Sequence, residues 1–182
     1  MNRVCVRMIG LFAASLVLAL SGCAARMEKP ANEAPLRVGT GAASKLVLNL
    51  NGSTVATTAD DWEEMKGIWR DAFSQQAKSA GVAYGFQDGA ASPTGEEGTL
   101  LAVYINDYRN VSTGARFGFG VMTGNAFVDS KVGFLDLKSG EVWGEQPYNT
   151  SSTAWQGVFS AMTSKQVEAI CEKMVSATLG RQ

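Results

Sequence analysis

Between Thr99 and Arg109 the chain places Leu101, Val103 and Ile105 on one side of an extended backbone and Leu100, Ala102 and Tyr104 on the other. A strand apolar on both faces must be covered on both faces, so this segment is expected at the centre of a sheet. The rest of the chain has to supply that cover. Trp62, Met65, Trp69, Ala72, Phe73 and Gln76 recur at helical spacing and stop at Gly81. Val167, Ile170, Cys171, Met174, Val175 and Leu179 do the same near the C-terminus. Thr58-Ala59-Asp60-Asp61 and Thr163-Ser164-Lys165-Gln166 read as capping boxes in front of these two helices.

Further strands are expected at Lys45 to Leu50, Val82 to Gln87, Asn125 to Leu137 and Glu141 to Tyr148. The last two flank Lys138-Ser139-Gly140, whose glycine suits a bulged hairpin turn, and so form an antiparallel pair. Asp88 to Gly98 reads as a surface loop. The order is β-α-β-β-β-β-α, which predicts an α+β domain: a mixed, largely antiparallel sheet of four to five strands with two helices packed on one face. The length of 182 residues suits one domain with an extra segment.

That segment is at the N-terminus. Arg3 and Arg7 precede a thirteen-residue apolar run from Met8 to Leu20, and Leu20-Ser21-Gly22-Cys23 closes it. The run is shorter than the roughly 20 residues a membrane-spanning helix needs. The tetrad resembles the bacterial lipobox, in which the cysteine thiol receives diacylglycerol and the peptide is cut in front of it. Residues 1–22 are therefore expected to be a lipoprotein signal peptide, with Cys23 lipidated, carrying palmitate-type acyl chains. An ordinary signal peptide cut near Ala24 or Ala25 is the alternative. Several acyl chains on one residue anchor a protein stably, where one alone is marginal at about 0.8 kcal/mol per buried CH₂. An Asp just after the modified cysteine tends to hold such proteins at the inner membrane. Ala24 and Ala25 follow here, which favours the inner leaflet of the outer membrane, facing the periplasm. Residues 23–43, with Pro30, Pro35, Gly39 and Gly41, read as the lipidated cysteine and a flexible tether, although Leu36 and Val38 would allow packing on the domain. Residues 44–182 form the single periplasmic α+β domain.

Composition narrows the function. Hydrophobic residues are 46% and charged residues 18%, and removal of Arg3 and Arg7 leaves 14 basic against 17 acidic residues, so nucleic acid is not an expected partner. The chain has no histidine, which removes the Ser-His-Asp and Cys-His constellations and the commonest metal ligand. No catalytic residue, metal site or cofactor is predicted, and the chain is read as no enzyme. With Cys5 lost in the signal and Cys23 capped, Cys171 is the one free thiol left; it lies on the apolar helical stripe and is read as core. Asp60, Asp61, Glu63 and Glu64 suit the positive end of a helix dipole better than calcium, because no Asp-x-Asp-x-Asp-Gly loop accompanies them.

The most unusual stretch is Thr113 to Gly124, in which Arg116, Phe117 and Phe119 lie among four glycines. Gly118, Gly120 and Gly124 are spaced one residue too far apart for a dinucleotide fingerprint, and no βαβ setting surrounds them. Phe117 and Phe119 are read either as core or as contacts to a partner, with Arg116, Asp107 and Arg109 beside them; Asp136 is a further candidate ion-pair partner for these charges. A carboxylate hydrolase built on Asp107 and Asp136 is a remote third possibility.

The lipobox, the Asp107-Tyr108-Arg109 strand exit, the Gly-rich link with Arg116 and the Asp136 to Glu141 hairpin together resemble the bacterial envelope lipoproteins grouped as domain of unknown function 4410. The resemblance covers roughly Lys45 to Leu179 and implies a small envelope lipoprotein with an α+β domain and no established enzymatic activity. The expected function is a lipid-anchored envelope protein that binds a protein partner or self-assembles. The alternative is a binding module for an apolar or glycan ligand in a cleft near the Gly-rich link, using Phe117, Phe119, Tyr104 and Trp143.

Overall fold

A computed structural model describes the backbone of residues 26–28 and residues 36–110, 126–151 and 162–180. Its elements in chain order are β1 (Arg26–Glu28), β2 (Lys45–Gly52), α1 (Thr54–Thr57), α2 (Trp62–Ala80), β3 (Ala83–Gln87), β4 (Thr99–Arg109), β5 (Phe127–Asp136), β6 (Val142–Ser151) and α3 (Met162–Thr178). Five strands of the domain and the three-residue β1 form one open sheet in the order β1-β6-β5-β4-β2-β3. The β2–β3 and β2–β4 pairs are parallel, and β4–β5, β5–β6 and β1–β6 are antiparallel. The class is α+β, as the element order predicts.

β4 lies between β2 and β5, inside the sheet. Leu101, Val103 and Ile105 join Leu46 and Leu48 of β2, Val128, Val132 and Phe134 of β5, Met65, Trp69 and Phe73 of α2 and Ile170, Cys171 and Met174 of α3 in one core. Both long helices therefore cover the same face. Burial of this set is the main stabilising contribution, at about 1.5–3 kcal/mol per large side chain removed from water. Cys171 is fully buried within it, and desolvation pushes its thiol pKa up, so it packs as a small apolar group.

Among the described residues, the other face is covered over one half. Val47, Leu100 and Leu137 form a second small core there, with Leu135 against it. The 88–98 loop closes over this half through bonds from Thr94 N to the Leu137 carbonyl (2.8 Å) and from Leu137 N to the Gly98 carbonyl (3.0 Å). Buried Asn49 holds the loop's start by donating to the carbonyls of Gln87 (2.9 Å) and Gly89 (3.0 Å), while its own oxygen accepts from Asn51 (2.6 Å). A buried amide so satisfied costs little and fixes one loop path. Gly98 is needed where the loop enters β4, since at φ +151° a Cβ would stand 2.3 Å from the Lys45 carbonyl oxygen.

Two local expectations are corrected. Thr58 is not the cap of the long helix. Ser53 starts α1 by accepting from Ala56 N (3.2 Å), Thr58 closes that turn by donating to the Thr54 carbonyl (2.7 Å), and Asp61 stands at the head of α2. The Gly52-Ser53 exit from β2 begins a helical turn before the stronger apolar period takes over. In the second expected box, Gln166 lies buried inside α3 and donates to the Ala126 carbonyl (3.1 Å), a tertiary bond in place of a cap.

The 23–43 segment, read as a tether, contributes β1, whose Arg26, Met27 and Glu28 pair with Ser151, Thr150 and Asn149. Farther along, Leu36 packs on the core, and Gly39 lies against Trp143. The alternative that allowed packing through Leu36 fits here, because the β6 edge offers unpaired backbone groups that a neighbouring extended segment satisfies.

Candidate functional site

The uncovered half of the outer sheet face is built by cross-strand rows. One row runs Asn49, Ala102, Gly133, Glu145; the next runs Asn51, Tyr104, Lys131, Pro147; a third runs Asp107, Asp129, Asn149. The small side chains of Ala102 and Gly133 leave the first row low, so Tyr104 stands up beside a shelf. Its side chain is one of the few large apolar groups in solvent, 38% exposed. Lys131 Nζ sits 5.9 Å from the Tyr104 ring centroid and 3.2 Å from Glu145 Oε1. The carboxylate thus orients a cation over the ring's negative face, an arrangement worth about 0.5–1 kcal/mol in solvent.

A β-bulge decides which β4 residues reach this face. Pairing shifts between Ile105 and Asp107, leaving Asn106 as the extra residue. Strict alternation would send Tyr108 outward with Tyr104 and turn Asp107 and Arg109 inward. The bulge reverses the phase beyond it. Ser53 fixes the bulged backbone by donating from N to the Ile105 carbonyl (3.0 Å) and from Oγ to the Asn106 carbonyl (2.6 Å).

Tyr108 therefore turns into the core, beside Trp62 at 6.3 Å between ring centroids, and its hydroxyl donates to Asp61 Oδ1 (2.7 Å). Burial, followed by that bond and the charges of Asp61, Glu64 and Asp107, raises its pKa well above the ordinary phenol value. On the outer face Asn106 Nδ2 donates to Asp129 Oδ1 (3.2 Å), and the Asn149 amide, oriented with its nitrogen toward the same oxygen, donates at 2.8 Å. Asp129 is thus an acceptor held by two amides.

Among the expected site residues, Asp107 and Arg109 both lie at the exit of β4. Asp107 accepts from Tyr108 N (2.8 Å), and the Arg109 guanidinium lies 5.7 Å from the Phe127 ring centroid. Cys23, Arg116, Phe117 and Phe119 lie outside the described residues. Asp136 does not join Asp107: it stands opposite Thr99, whereas Asp107 stands opposite Asp129, seven residues away on β5. At about 3.4 Å per residue that is roughly 24 Å, too far for a shared pair or for two catalytic carboxylates on one bond. Asp136 instead accepts from Ser139 Oγ (2.6 Å) and Lys138 N (3.1 Å), which lowers its pKa and organises the hairpin turn.

Trp143 is also far from the exit of β4. It lies at the start of β6, at the other end of the sheet, against Gly39. The residues that sequence reasoning missed are Lys131, Glu145, Asp129 and Asn149. Each reads singly as a solvated strand residue, and only register brings them together. Among the described residues, no group of three metal-ligating side chains forms, and no helix is long and apolar enough to cross a membrane.

No family model matches the chain, and no curated protein does. Solved structures similar to it include the PelC dodecamer from Paraburkholderia phytofirmans, at 11% identity over 81% of this chain and 94% of that one, with a TM-score of 0.48. Protein XCC0632 from Xanthomonas campestris, of the DUF330 family, is 10% identical over 86% of this chain and 93% of that one, TM-score 0.49. Lipoprotein GNA1162 from Neisseria meningitidis is 12% identical over 74% of this chain and 99% of that one, TM-score 0.35. These are distant likenesses of chain path, lipoproteins among them, and nothing about function is drawn from them.

Proposed function

We propose that the chain is a non-enzymatic, lipid-anchored envelope protein of the domain of unknown function 4410 kind, held by Cys23 at the periplasmic leaflet of the outer membrane, and that it binds a protein partner through the open half of its sheet face. The observation that carries this reading is the contrast on that face: the 88–98 loop seals one half, while the other presents exposed Tyr104 within a ring of oriented polar groups, Lys131, Glu145, Asp129 and Asn149. An exposed aromatic is the residue type that anchors the centre of a binding surface, and charged and amide groups around it suit the rim.

A photo-crosslinking amino acid placed at Tyr104 of the acylated protein in intact cells is expected to give a discrete protein adduct, and the same group at Glu141, on the far hairpin, is not. Equal adduct patterns from the two positions would sink the proposal. The glycan reading has one specific observation in its favour, a flat shelf of Ala102 and Gly133 beside the Tyr104 ring and the Asn149 and Asp129 amide-carboxylate pair. Capture of cell-wall or capsule fragments by wild type and not by Tyr104→Ala, with no protein adduct, is the result that would select it.

A further inference from the structure

We infer that the domain lies with one particular end against the bilayer: the end where β4 and β6 finish, marked by the row Arg109, Phe127, Ser151 and Arg26. This inference rests on the reading of Cys23 as the lipidated residue. Its starting point is the register of β1, which sets Arg26 opposite Ser151, the last residue of β6, and runs from there away from that end. The chain upstream of Arg26 must therefore leave the domain at the end of β6. Cys23 is three residues before Arg26, so the lipidated sulfur's own Cα lies within about 11 Å of that end, since an extended chain spans at most about 3.6 Å per residue. A tether of twenty residues would have let the domain tumble in any orientation. Three residues do not.

The same row has the composition of a membrane boundary. Ser151 pairs with Phe127, and Phe127 with Arg109. The Arg109 guanidinium stacks over the Phe127 ring at 5.7 Å and has no carboxylate partner among the described residues, so the ring and stem supply apolar surface beside a charge that suits phosphate. Arginine and aromatic residues collect at the headgroup level of bilayers for this reason. The backbone also leaves β4 at Asn110 and re-enters β5 from Ala126 at this end, and leaves β6 at Ser151 on the way to Met162.

One consequence joins this to the open face. Lys131, beside Tyr104, pairs with Pro147, four residues before Ser151 on β6, so it stands about 14 Å from the membrane end. Two strand spacings of about 4.8 Å also separate Lys131 from Arg26, so the partner surface is within about 28 Å of the anchoring residue, and a partner must itself reach close to the membrane.

Two measurements on the acylated full-length protein test this. In the first, Arg26→Cys/Ser151→Cys is oxidised; directly opposed strand residues have the Cα separation a disulfide needs, so a near-complete crosslink is expected, and a yield no higher than that of Arg26→Cys/Glu141→Cys would overturn the register. In the second, an environment-sensitive fluorophore is attached at Ser151→Cys or at Glu141→Cys, and the protein is reconstituted in phosphatidylethanolamine and phosphatidylglycerol vesicles containing lipids spin-labelled near the headgroup. Quenching is expected to be at least threefold greater at position 151, and equal quenching would overturn the orientation. Intact mass of the same samples separates the two readings. An unacylated N-terminus removes the Cys23 assignment itself, whereas an acylated protein with equal quenching removes only the orientation.

Discussion

The two faces of the sheet are made by the same strands and differ in what residues between strands do. On the helix face, β4 contributes Leu101, Val103 and Ile105, each at most 1% exposed and packed on Trp69, Phe73 and Met174. One residue along the same strand, Tyr104 is 38% exposed and touches a lysine held by a glutamate. The difference teaches that the helix face carries stability and the open half-face is free to carry recognition. Substitutions there are cheap for folding, and those on the helix face are not.

Phe73 is the helix-face residue whose loss should cost most. Phe73→Ala should cost about 3–5 kcal/mol in denaturant unfolding, because the fully buried ring leaves a cavity between α2 and β3. A loss below about 1 kcal/mol would mean the helix face is not the main core. Gly98→Ala should cost about 1–3 kcal/mol, since a Cβ there meets the Lys45 carbonyl and the loop that seals the covered half must move. Hydrogen exchange should report the loosening first at Thr94 and Leu137 amides.

Tyr108→Phe should cost about 1–2 kcal/mol by removing the donor to Asp61. It carries a pH signature as well. The folded-state phenol pKa is raised above its ordinary value of 10.0, so the stability it contributes is complete below about pH 10 and is lost as pH rises beyond that. Wild type should therefore lose stability above pH 10 more steeply than Tyr108→Phe; parallel curves would show that the phenol is not held in its neutral form.

Tyr104→Ala should change the unfolding free energy by no more than about 0.5 kcal/mol while removing the crosslinked partner, and a large loss of stability would place the ring in the core after all. The smallest effect belongs to Asp136→Asn. The folded pKa of this exposed carboxyl is lowered, so its contribution is present above the ordinary carboxylate pKa and disappears as pH falls through the folded value. Wild type and Asp136→Asn should differ slightly at neutral pH and converge in acid, with the Ser139 amide chemical shift in NMR titration as the monitor.

Much of the fold was legible because its signals are local. The two-sided apolar run of Thr99 to Arg109 located the central strand, the 3.6 period of Trp62 to Phe73 located α2, and Gly81 marked its end, where it adopts φ +73°. Residues 53–58 were misread because Thr58 and Asp61 both carry capping chemistry, and the choice between them rests on Ser53 being bound to the β4 bulge.

The candidate site was scarcely legible. Lys131, Glu145, Asp129 and Asn149 are isolated polar residues in sequence, where Asp136 stood out as the carboxylate to set with Asp107 and Asp129 did not. Only the antiparallel register of β4 with β5 places one carboxylate beside Asp107 and the other some seven residues away.

From the sequence alone came the class of the fold, the identity of its core helices and the burial of Cys171, since periodicity and composition act over a few neighbouring residues. Tertiary structure alone decided which way Tyr108 and Asp107 face, which half of the outer sheet is sealed, and that Arg26 meets Ser151. Each of these depends on a hydrogen-bond register or a bulge between segments distant in sequence. Pairing of that kind is a property of two strands together, and neither strand encodes it alone.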